Sequence, residues 1–91
     1  MDSNKVDRKR VQGVLGPDGI VRDLEKEATL NALFASVFSR EDGREVLRYL
    51  RSVTIEAVAG PGVTPDELMH REGMRFLVGI IEQRVGRGKN G

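Results

Sequence analysis

The stretch HREGMRFLVGIIEQ, His70 to Gln83, has the length and spacing of a helix interior yet contains two glycines. Apolar residues at Met69, Phe76, Leu77, Ile80 and Ile81 recur at helical intervals and define one face. Gly73 falls inside that stripe, three residues before Phe76 and four before Leu77. An interior glycine costs about 0.5–1 kcal/mol relative to alanine, a loss that close approach of a neighbouring helix offsets. The pattern therefore predicts a helix–helix contact at Gly73, Phe76 and Leu77. Gly79 lies on the flank with Met74 and Val78, outside that stripe, where a second packing surface supplied by another subunit is expected.

Working outward, Thr64-Pro65-Asp66-Glu67 is the strongest local signal. Threonine serves as N-cap, proline takes the first helical position, and glutamate three residues after the threonine closes a capping box. This third helix is predicted to run to about Val85. The preceding Ala59-Gly60-Pro61-Gly62-Val63 is a stop and a turn. Upstream, Val46, Leu47, Leu50, Val53, Thr54 and Ala57 continue a second helix predicted to start at Ser39-Arg40-Glu41-Asp42, with Ser39 as its cap. Its last turn, Val53-Thr54-Ile55, is β-branched and prone to fray. A first helix from Leu24 carries Leu30, Leu33, Phe34, Val37 and Phe38 on one face and Glu25, Lys26, Glu27 and Asn31 on the other.

Ahead of it, Val14-Leu15 and Ile20-Val21 flank a Pro17-Asp18-Gly19 turn. These short segments could form a small hairpin, but an extended arm ordering on a neighbour is the preferred reading. The expected organisation is thus all-α: an arm over 1–23, a three-helix domain over 24–85 and a flexible tail over 86–91.

Composition narrows the class further. At 91 residues the chain is a single domain near the size at which one core is marginal. Fifteen basic side chains against fourteen acidic leave a net charge of +1 and no strong field of either sign. The absence of cysteine rules out disulfides and thiolate metal sites. No apolar run approaches the roughly 18 residues of a membrane span, and no signal-type core follows the charged start, so a soluble protein is expected.

The lone histidine, His70, has no second histidine or cysteine with which to build a zinc site or a nucleophile triad. The acid pairs Glu41-Asp42 and Asp66-Glu67 sit at helix starts, where the helix dipole favours them. The GPDG and GPG sequences lack the lysine of a phosphate-binding loop and are turns. No catalytic, metal-binding or cofactor-binding residue is therefore expected. Arg44, Arg48 and Arg51 are interleaved with acids, as are Arg71, Arg75 and Arg84, which makes a balanced solvated surface rather than a basic stripe.

Phe34 to Phe38, SREDGREVLRYL (Ser39 to Leu50) and HREGMRFLVGII (His70 to Ile81) together resemble a small family from tailed bacteriophages of the Bordetella-phage type, encoded among portal and capsid genes. The motifs are Gly43-Arg44-Glu45-Val46-Leu47-Arg48-Tyr49-Leu50 and Glu72-Gly73-Met74-Arg75, with Gly79 behind. The resemblance implies a virion or assembly component, located in the virion and in the host cytoplasm during assembly, with no catalytic residues to carry over. It also suggests a polar cluster of Arg44, Glu72 and Arg75 joining the second and third helices. The expected partner is a virion protein such as portal, capsid or tail adaptor, or another copy of the chain, with no membrane and no small-molecule substrate. Val14, Leu15, Ile20, Val21, Met74, Val78 and Gly79 are the candidate partner surface. Nucleic-acid association in packaging or regulation, and binding of a host protein, are the alternatives.

Overall fold

The computed structural model describes residues 13–90; residues 1–12, with the first part of the expected arm, and Gly91 lie outside them. The chain opens with a hairpin, β1 (Gly13–Leu15) against β2 (Val21–Asp23), antiparallel, with Val14 opposite Arg22 and Leu15 opposite Val21. The Gly16 N–H donates to the Ile20 carbonyl at 2.9 Å and the Gly19 N–H to the Gly16 carbonyl at 3.0 Å. Gly19 adopts φ +84°, a conformation that side-chain-bearing residues resist. For residues 13–23 the expected extended arm is therefore corrected to a folded hairpin. The turn chemistry of Pro17-Asp18-Gly19 closes it, and ion pairs described below dock it.

Helix α1 (Leu24–Phe38) starts at Asp23, whose carboxylate accepts the Lys26 N–H at 2.8 Å. Helix α2 (Glu41–Ser52) follows after a corner of two residues. Ser39 does not cap it: its N–H donates to the Ala35 carbonyl to finish α1, and its hydroxyl is buried without a partner. Arg40 occupies the N-cap position with no side-chain cap. The corner is closed instead by the backbone, because a Cβ on Gly43 would collide with the Val37 carbonyl and lie 2.9 Å from the Phe38 Cα. Helix α2 stops at Ser52, short of Ala57, and the Thr54 hydroxyl folds back onto the Leu50 carbonyl at 2.6 Å.

Helix α3 (Pro65–Asn90) begins at the predicted capping box, with the Glu67 N–H 3.1 Å from the Thr64 hydroxyl and the Thr64 N–H 3.4 Å from the Glu67 carboxylate. It continues past Val85 through the segment expected to be a flexible tail. Gly88 explains the extension: a Cβ there would strike the Asn31 carbonyl and the Ala35 methyl of α1, so a glycine is what permits this crossing.

The helix faces differ from those expected. On α1, Glu27 is buried and Asn31 half-buried, whereas Leu33 and Val37 are exposed. On α3, Val78, assigned to a flank, is 4% exposed and forms the core with Val85. Of the intended core stripe, Met69 (74% exposed), Phe76 (61%) and Leu77 (59%) face out, while Ile80 and Ile81 are half-buried. The turn of the helix is set by Arg84 and Val85, which are buried, and by Arg75, which reaches the loop after α2. Phe34 and Phe38 stack at 6.2 Å between centroids against this interface. The thinnest extent of the fold is 13 Å between Cα atoms, little more than the roughly 10–12 Å diameter of one helix.

Candidate functional site

The best-built polar site is a buried ion network where the hairpin, α1 and α3 meet. Glu27, on the inward face of α1, accepts from Arg84 at 2.8 Å and from Arg22 at 3.2 Å. Arg84 is 2% exposed. It also donates to the Asn31 side-chain carbonyl at 2.9 Å, reaches Asp18 at 3.4 Å and lies over the Phe34 ring, 5.9 Å from its centroid. Arg22 closes the loop with a bond to Asp18 at 2.6 Å. Hydrogen bonding from Arg22, then from the Ile20 N–H, holds the Asp18 carboxyl far below its ordinary value near 3.8, and the charges of Arg22 and Arg84 reinforce the shift.

Two guanidinium groups and two carboxylates pair with one another, with the half-exposed Arg87 a third guanidinium 4.0 Å from Glu27, and each buried member has several partners. That satisfies a buried charge. The arrangement locks the hairpin onto the helices, since its members use their bonds on one another across the three elements.

Sequence reasoning missed this site. The pairing of Glu27 with Arg84 joins residues 57 apart, which no local pattern announces. One signal existed: Glu27, Asn31, Phe34 and Phe38 fall at i, i+4, i+7 and i+11, an acid and an amide continuing an apolar stripe.

The expected polar cluster is brought together only in part. Arg75 lies 3.8 Å from Glu72 and donates to the carbonyls of Ile55 at 2.9 Å and Ala57 at 3.3 Å, tying α3 to the loop after α2. Arg44 is elsewhere, donating to the Ser39 carbonyl at 2.7 Å to secure the α1–α2 corner. The link between α2 and α3 is made by Arg51 and Glu82 at 2.6 Å. Glu82, followed by Glu56, raises the Arg51 pKa above its usual value.

The expected helix contact at Gly73, Phe76 and Leu77 is not made among the described residues. A Cβ on Gly73 would meet nothing within 4 Å, and both large residues are exposed. Gly43 and Gly88 are the glycines at close approaches between helices. Within the expected partner surface, Leu15, Ile20, Val21 and Met74 are exposed, Val14 and Gly79 are half-buried, and Val78 is corrected to a core residue. His70 is exposed on α3. Among the described residues no helix is long and apolar enough to cross a membrane, and no three His, Cys, Asp or Glu side chains gather as a metal-ligand set.

No curated protein and no solved structure matches the chain. The family model described as Bbp19-like phage protein matches residues 34–85. That segment holds the end of α1, all of α2 and α3 up to Val85, and so includes Arg84 but not Asp18, Arg22 or Glu27. The match spans more than half of the sequence, and the chain belongs to the Bbp19-like phage protein family.

Proposed function

We propose that this phage protein is a non-enzymatic structural or assembly component that docks on a larger virion oligomer such as portal, capsid or tail adaptor. The observation that supports this reading is the small core set against a large apolar exterior. Val78 and Val85 are the buried hydrophobic residues among those described, while Leu15, Ile20 and Val21 on the hairpin and Leu33, Val37, Val46 and Tyr49 on α1 and α2 face outward. Exposed apolar groups in such density mark interaction surfaces. The hairpin is the favoured docking element because the ion network holds it rigidly while Leu15 and Val21, paired across its strands, project from it. Nucleic-acid association is the weaker reading: Arg22, Arg48, Arg51 and Arg84 are each engaged by a carboxylate of the same chain.

Replacing Leu15 and Val21 together by serine tests the proposal, because neither side chain belongs to the core. Helicity by circular dichroism and the melting temperature are expected to stay near those of the parent. The protein is expected to disappear from purified virions analysed by mass spectrometry. Incorporation at the parental level would overturn the hairpin as the docking element.

A further inference from the structure

Met69, Gly73 and Phe76 of the α3 stripe have no partner among the described residues, yet the spacing of the stripe is that of a helix-pairing seam. Asp66, Met69, Gly73, Phe76, Ile80 and Gln83 follow one another at intervals of three, four, three, four and three residues, the a and d positions of a heptad. Met69 and Phe76 are exposed, Ile80 is half-buried and Gly73 opens onto empty space. Val78 and Val85, on the opposite side of the helix, hold the fold.

We propose that this stripe is an interface between two copies of the chain, whose α3 helices pair antiparallel about a two-fold axis between Met74 and Arg75. In that register Phe76 of each copy lies beside Gly73 of the other, so the ring fills the gap left by the glycine. Met69 lies beside Ile80, and at the two ends the Asp66 carboxylate meets the Gln83 carboxamide, an acceptor facing a donor. Every layer is self-complementary and occurs twice, as an isologous contact requires. On the flanks Glu72 faces Gly79 and His70 faces Leu77, so no like charges oppose each other. Parallel pairing would instead set Phe76 against Phe76 and leave a void at paired glycines.

The occupant is a second copy because the stripe carries both the protruding group and the gap that receives it. Phe76 alone, 61% exposed, offers about 100 Å² or more of an aromatic's roughly 150–250 Å², and Met69, 74% exposed, adds to it. A net charge of +1 adds little repulsion between copies. The hairpin lies outside this stripe, so the dimer stands independently of the virion-docking reading.

Sedimentation equilibrium of the full chain is expected to give twice the 10.1 kDa monomer mass, falling to the single mass on dilution. Phe76→Glu and Gly73→Arg, both at solvent-facing positions of the single chain, are each expected to keep their helicity and to sediment as monomers. An equimolar mixture of the two variants is expected to dimerise again, because the introduced arginine and glutamate meet in one layer while the native Phe76 and Gly73 meet in its mate. A parent protein that stays monomeric at every concentration overturns the proposal. So does either variant remaining dimeric, a Gly73→Arg chain that loses helicity, or a mixture that stays monomeric.

Discussion

Gly73 and Gly88 both interrupt α3, and the fold uses them in opposite ways. At Gly88 the α3 backbone presses on the Asn31 carbonyl, so even a methyl group must push two helices apart. At Gly73 a Cβ enters open space. Gly88→Ala is therefore expected to destabilise the fold by about 1–3 kcal/mol through overpacking. Gly73→Ala, at dilutions where the chain is single, is expected to stabilise it by about 0.5–1 kcal/mol through helix propensity. Urea denaturation of the two variants checks the contrast, and equal effects would contradict the different surroundings of the two sites. Sequence spacing pointed to the wrong glycine for the intramolecular contact because it reports which residues share a face, not which face meets a neighbour.

Among the elements, the hairpin shows how a weak segment is stabilised by charge. Its strands are three residues each, and an isolated hairpin of this kind is marginal in water. The network of Asp18, Arg22, Glu27 and Arg84 anchors it. The carboxyl of Asp18 titrates far below its ordinary value near 3.8. The stability it contributes is thus complete above that ordinary value and is lost as pH falls through the depressed one. Amide exchange at Gly16, whose N–H closes the turn, is expected to report this. Once intrinsic exchange rates are accounted for, protection should weaken on strong acidification below pH 3.8. In Asp18→Asn it should be low at neutral pH and respond less to acid. Protection in the parent that is unchanged in strong acid would contradict the role given to Asp18. The turn itself was legible in Pro17-Asp18-Gly19, as was the start of α3 in Thr64 to Glu67, because both are local hydrogen-bond patterns. The extent of α3 and the hairpin's docking were not, because they depend on contacts between residues far apart. The glycines at 86 and 88 suggest a flexible tail until α1 is known to lie against them.

Taken together, the described helices and hairpin form a single layer. Their radius of gyration is 17.2 Å, against about 12 Å for a compact chain of this length, and domains ordinarily need two packed layers to enclose a core. On the proposed pairing of two copies a second layer is added, and the melting temperature is then expected to rise with protein concentration. Circular dichroism melts at concentrations tenfold apart check this, and coincident curves would show that the single chain's stability owes nothing to association. The continuity of α3 has a different consequence. Its first half is keyed by Arg75 to the loop after α2, and its second half by Arg84 to the hairpin and α1. One residue added between the two keys would turn one key by about 100° relative to the other and move it about 1.5 Å along the axis. A seven-residue insertion would nearly restore the phase but move it by about 10.5 Å. The short corner between α1 and α2 absorbs neither displacement. Length can therefore vary between Val58 and Val63, beyond the carbonyls that Arg75 grips, but not between Arg75 and Arg84, where the helix acts as a toothed rod whose pitch sets the distance between its two locks.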